Sequence, residues 1–107
     1  MSNDPYFPAY KLILSYDMID GSVQEYYQFV LGRYIPMMRS IGWDMIEAWE
    51  TGYGNGPDRM VSFVNRHQGE WRDLLNNETW HNLNHELLTY VTNFNYKVVP
   101  YRQTFQI

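Results

Sequence analysis

The chain has no cysteine in its 107 residues, which excludes a disulfide framework, a thiolate metal site and a cysteine nucleophile. Long hydrophobic runs are missing too. No stretch approaches the roughly 20 apolar residues that a membrane span needs. Residues 1–8 carry no cationic segment followed by an apolar run. The expectation is a soluble, unprocessed protein, with the cytoplasm as the default location. Positive charge is scarce: eight Lys and Arg stand against twelve Asp and Glu, for a formal charge of -4. The basic residues form no cluster, so phosphate backbones and anionic lipid surfaces are poor partners, and neither nucleic acid nor membrane is expected. Also absent are a Gly-x-Gly-x-x-Gly turn, a phosphate-cradling loop and a serine-centred nucleophile elbow. Nucleotide cofactors and acyl-enzyme chemistry therefore have no support, and the expectation is no metal and no organic cofactor.

Aromatic residues are abundant. Ten Tyr, five Phe and four Trp make up 18% of the chain, ample apolar area for one core but with many hydroxyls in need of partners. A chain of this length fits one domain, here residues 1–107, with residues 1–8 expected to be flexible.

Residues 9 to 17 alternate, with Tyr10, Leu12, Leu14 and Tyr16 on one face of a strand and Ala9, Lys11, Ile13, Ser15 and Asp17 on the other. Ser22 and Glu25 have capping-box spacing and predict a helix start. Val23, Tyr26, Tyr27, Val30, Tyr34, Met37, Met38 and Ile41 then fall on one stripe, and Gly42 sits where a C-terminal cap belongs. Pro36 interrupts this helix and predicts a kink near Gly32 or a restart. Residues 43 to 53 alternate as a second strand, placing Trp43, Met45, Glu47 and Trp49 on one face. A glycine-rich turn over residues 52–58 leads to a third strand at 59–66, with Val61 and Phe63 facing one way and Met60, Ser62 and Val64 the other. Residues 68–94 read as a helix broken near Asn76 and Asn77, with Asn77 as N-cap. Its inward stripe is Trp80, Leu83, Leu87, Tyr90, Val91 and Phe94. A last strand at 96–107 carries Pro100, which suits an edge.

This order, βαββαβ, predicts an α+β ferredoxin-like sandwich: a four-stranded antiparallel sheet with two helices on one face. Two helices cover one face only, and these strands carry bulky apolar residues on both. The open face and the edge strands are expected to meet a second copy, making a homodimer.

The histidines are weak candidates for chemistry. His81 and His85 share one side of a helix at metal-binding spacing, but Asn82 stands where a protease would have Glu, and the pair turns away from the apolar stripe. They read as solvated. His67, just after the third strand, is placed for proton transfer if it lines a cleft, though a surface position is the plainer reading.

Polar groups on inward faces are the more informative signal. Tyr26, Tyr27, Tyr34, Asn84 and Glu47 each need a buried partner. They either bond to backbone, water or a second subunit, or they line a pocket for a small apolar molecule. In that pocket Glu47, among Trp43, Met45 and Trp49, is the first candidate for a catalytic base. Trp49, Phe63, His67 and Trp80 would complete the lining. Met37 and Met38 read as core filling.

The segment Trp71-Arg72-Asp73-Leu74-Leu75-Asn76-Asn77-Glu78-Thr79-Trp80 resembles a stretch of the NIPSNAP-like proteins: helix, short break, then a tryptophan opening the next helical segment. The order of elements over residues 9–107 is similar to that of the dimeric α+β barrel superfamily. The resemblance implies homodimers whose sheets face each other in a shared barrel, with stress-responsive barrels, cofactor-free monooxygenases and haem-degrading enzymes among the relatives. The haem-degrading branch uses an Asn on the first strand, a Trp on the third and a His on the second helix. Here those places hold Ser15, Phe63 or Val64, and Asn84, with His85 one residue off, so no catalytic residue carries over. RNA-recognition modules share the βαββαβ order. Arg59, Phe63 and Val64 fit their third-strand motif, but Met60, Val61, Ser62 and Arg66 do not, and the acidic balance opposes RNA. The expected function is a homodimeric domain that binds a small, largely apolar molecule or serves as an assembly unit. The alternative is a cofactor-independent monooxygenase or isomerase acting on a small aromatic or apolar substrate.

Overall fold

The computed structural model describes residues 9–52, 54–65 and 71–101. His67 and Tyr53, residues 1–8 and the expected strand beyond residue 101 lie outside the described residues. Four strands, β1 (Ala9–Met18), β2 (Trp43–Glu50), β3 (Arg59–Asn65) and β4 (Val91–Tyr101), form one antiparallel sheet in the order β2-β3-β1-β4. Between β1 and β2 lie α1 (Val23–Phe29), a π-helical segment (Val30–Tyr34) and α2 (Ile35–Ser40). Between β3 and β4 lie a 3-10 segment (Trp71–Asn76) and α3 (Glu78–Leu87). This is the expected α+β ferredoxin-like arrangement. β1 is central, and β2 and β4 are the edges.

The alternation on β1 comes out as expected. Leu12, Leu14 and Tyr16 are buried against Val61 and Phe63 of β3 and against the helices, which contribute Tyr26, Phe29, Tyr34, Met38, Trp80, Leu83 and Leu87 to one core. Asn77 caps α3 as expected, its side-chain oxygen accepting from the Trp80 amide at 3.0 Å. Gly42 takes a φ of 99° just past α2 and donates its amide to the Arg39 carbonyl, a left-handed conformation that glycine adopts without a Cβ penalty.

Four local expectations are corrected. The capping box does not form: Ser22 precedes α1 at φ -105° and ψ 6°, outside the extended region an N-cap side chain needs, and makes no side-chain cap bond. Pro36 sits in the first turn of a short helix, α2, close to the expected restart, but no break in the helical backbone precedes it. The chain stays helical by widening to a π turn over Val30–Tyr34, which relieves the collision between the proline ring and the carbonyl four residues back. That extra residue rotates the apolar stripe. Phe29 turns inward, while Met37, expected in the core, is 39% exposed.

The third correction concerns β2. A bulge between Met45 and Glu47 shifts the register, so that Met45 pairs with Phe63 but Glu47 pairs with Ser62 and Trp49 with Met60. An extra residue reverses the facing of everything after it. Trp43 and Met45 therefore point to the helix side, and Glu47 and Trp49 to the open face. Glu47 does not lie among two tryptophans and a methionine as the simple alternation implied.

The fourth concerns the second helix, which ends at Leu87. Tyr90 lies in the connecting turn, and Val91 and Phe94, expected on the helix, belong to β4. The Tyr90 carbonyl accepts from the Ile19 amide, and Val91 pairs with Met18. Leu83, Leu87 and Val91 are spaced by four, a helical pattern, but pairing with β1 satisfies the backbone from Val91 onward. A second irregularity, with Asn93 at φ 55°, lets Phe94 stack on Tyr16. Asn93 donates to Asp17 at 2.8 Å, and Asp17 and Asp58 exchange bonds with each other's flanking amides, at 2.9 Å to Asp58 N–H and 3.0 Å from Met18 N–H to Asp58. These contacts close the end of the sheet.

Candidate functional site

The sequence-predicted residues separate into three places. Tyr34, Phe63, Trp80 and Asn84 lie in or beside the core. The Tyr34 hydroxyl donates to the Asn84 side-chain oxygen at 2.6 Å. Burial pushes the Tyr34 phenol well above its ordinary value, an effect opposed by the nearby indole N–H of Trp80, which lies outside hydrogen-bond geometry and is buried without a partner. Tyr34 and Phe63, with Leu14 and Leu87, border a gap that has no room for a water molecule. These rings fill the interior, and this gap offers no place for a ring-sized ligand.

Glu47 stands on the open sheet face. Its carboxylate is 2.7 Å from the Lys11 ammonium, so its partner is a cation, not the apolar enclosure that made it a candidate base. His67 lies outside the described residues. His81 and His85 are exposed on α3, and His81 donates to the Leu75 carbonyl at 2.6 Å. Among the described residues no group of three or more His, Asp or Glu is arranged to hold a metal.

Tyr26 and Trp49 are brought together at the third place, a groove of about 170 Å³ between the first helix and the β2 edge. Leu31, Ile35 and Met45 form its apolar walls, and Tyr27, Glu50 and Arg59 supply the polar groups. Arg59 pairs with Glu50 across the β2–β3 hairpin. Its guanidinium carbon sits 4.9 Å from the Tyr27 ring centre and 5.4 Å from that of Tyr26, a cation–π arrangement with two rings. One guanidinium nitrogen donates to Glu50 at 3.0 Å, and the Tyr27 hydroxyl donates to the same carboxylate oxygen at 3.4 Å. The Arg59 Nε–H is buried without a partner. Burial works against the Arg59 charge, but the Glu50 hydrogen bond and the neighbouring charges more than offset it. Behind this group the Tyr26 and Tyr16 hydroxyls share a hydrogen bond of 2.5 Å, and burial raises both phenols above the ordinary value.

Sequence reasoning finds Tyr26, Tyr27 and Trp49, and Met45 as a neighbour of Glu47, but misses Arg59, Glu50 and Leu31. One signal was available. Glu50 and Arg59 flank the glycine-rich turn symmetrically enough to become an opposite-charge cross-strand pair, but only the register correction at the β2 bulge shows that they face the helices.

The element order and the strand order define the chain as a ferredoxin-like fold, and within that class it has the fold of the NIPSNAP proteins. A NIPSNAP family protein of unknown function from Agrobacterium tumefaciens superposes with a TM-score of 0.64 at 11% identity, covering 92% of this chain and 92% of that one. A second NIPSNAP family protein from the same organism gives 0.62 at 14% identity, over 86% of this chain and 90% of that one. A dimeric protein of unknown function and ferredoxin-like fold from Bacteroides fragilis gives 0.55 at 12% identity, covering 89% and 96%. No family model matches the sequence, and no curated protein matches it.

Proposed function

We propose that the protein is a homodimeric small-molecule-binding or assembly unit in which two copies meet through their open sheet faces. The observation that carries this reading is the composition of that face. Ile13 and Met60 lie half-buried on it with Trp49 at its edge, while the core formed with the helices lies on the other side. Trp49 is 61% exposed, and apolar surface of this kind is stabilised when removed from water. The structural similarity to a protein described as dimeric lends support. Closed twofold pairing is also the commonest oligomeric solution for a self-complementary surface.

Light scattering coupled to size exclusion is the direct test, with a mass twice that of the 12.9 kDa chain expected at micromolar concentration. Ile13→Asp, which puts a charge in the middle of the open face, should give a folded monomer. A wild-type chain that runs as a monomer over that range would overturn the proposal.

A further inference from the structure

We propose that the groove beside Arg59 is a binding site for a small monocarboxylate with an apolar body. This inference deepens the small-molecule reading above and rests on it, but not on the dimer. The groove holds the volume of about five or six water molecules at the roughly 30 Å³ each occupies in the liquid. It is below the range of drug-sized sites, so the ligand is small.

The apolar part of the ligand would lie against Leu31, Ile35 and Met45, with Trp49 at the rim. Leu31 and Met45 are 64% and 38% exposed, which leaves apolar surface open at the mouth of the groove. The polar end is set by Arg59. Its side chain is only 14% exposed, lies against two tyrosine rings, and has an Nε–H with no partner. With only its bond to Glu50 and an unpartnered Nε–H, Arg59 has hydrogen-bonding capacity to spare. A guanidinium is matched in geometry by a carboxylate, with two parallel N–H···O bonds.

Glu50 already demonstrates that recognition within the chain. Its carboxylate accepts from Arg59 and from the Tyr27 hydroxyl, yet its side chain is 67% exposed. Glu50 is a tethered stand-in held by contacts that water competes for, and a ligand carboxylate would take its place on Arg59 and Tyr27. One guanidinium offers one compensating charge in a chain with a net charge of -4, which favours a monoanion over a phosphate dianion.

The test uses benzoate as the probe, benzamide as its uncharged counterpart, and the full chain throughout. Binding is followed by calorimetry and by the Trp49 indole resonance. Benzoate should bind at least about tenfold tighter than benzamide, the difference expected for a charge-assisted pair. Glu50→Gln removes the internal competitor and should tighten benzoate several-fold, while Arg59→Lys, which keeps the charge and loses the fork, should weaken it by about tenfold. If Arg59→Lys fails to fold, Glu50→Gln on the exposed rim still decides. Equal affinity for benzoate and benzamide, or weaker benzoate binding by Glu50→Gln, would overturn the carboxylate assignment while leaving a small-molecule site. Absence of binding by either probe would overturn both.

Discussion

Lys11 on β1 reaches Glu47 on β2, with 2.7 Å between ammonium and carboxylate, across the intervening strand β3. Lys11 pairs with Val64 and Glu47 with Ser62, so the lysine stem crosses above both. This accounts for an otherwise odd observation. Val64 and Ser62 are each only 3% exposed, although they lie on the face that the helices leave open. The aliphatic stem adds to the cover that neighbours such as Ile13 give, and the charged tip is held at its far end.

Lys11→Ala should therefore destabilise the protein more than Lys11→Met. The first removes both the cover and the ion pair, while the second keeps the cover. A partly exposed pair is worth up to about 1 kcal/mol, and uncovering Val64 adds a comparable apolar loss. Urea unfolding of the two variants at one fixed protein concentration decides it. Equal midpoints would mean that the stem does not shield β3.

Tyr34 and Asn84 make a second pair whose energetics are separable. Tyr34→Phe leaves the Asn84 oxygen without its donor, and should cost about 1 kcal/mol because Asn84 is only partly buried. Asn84→Leu in the same background removes the orphaned acceptor and should recover part of that loss. A double-mutant cycle by chemical denaturation measures the coupling. Strict additivity would show that the hydroxyl and the amide are not energetically joined.

The readable and unreadable parts of the fold divide along physical lines. Leu12, Leu14 and Tyr16 were legible because a strand buried on one face must alternate, and Asn77 because an N-cap needs a side-chain acceptor ahead of a helical stripe. The bulge at β2 was not. Nothing in Met45-Ile46-Glu47 announces an extra residue, yet it decides which side of the sheet Glu47 and Trp49 face, and so where the candidate site lies. Pro36 announced a disturbance but not its form, since kink, restart and π turn all relieve the same clash. Val91 and Phe94 went to the wrong element because four-residue spacing from Leu83 and Leu87 persists into the strand, and long-range pairing with Met18 outweighs it. Arg59 was visible as the first residue of the third strand and as part of an incomplete RNA-recognition motif, not as a site residue. Its importance depends on the Tyr26 and Tyr27 rings from another element, which local pattern does not bring together.

The buried phenols give the protein a stability limit at high pH. Burial holds the Tyr16 and Tyr34 phenols well above the ordinary 10.0, and raises Tyr26 in the same direction. The folded state thus keeps protons that the unfolded chain releases above pH 10, so the unfolded state binds fewer protons and stability falls as pH rises. Below the unfolded value the contribution is fully present. Above it, each retained proton should cost about 1.4 kcal/mol per pH unit until the folded phenol itself ionises. Urea midpoints for the wild type should be flat, as far as these groups are concerned, up to about pH 9 and then drop steeply. Tyr34→Phe starts lower, for want of its bond to Asn84, but should lose stability more slowly above pH 10, so that the two curves converge. Parallel curves for the two proteins would show that the Tyr34 phenol ionises as readily in the folded chain as in the unfolded one.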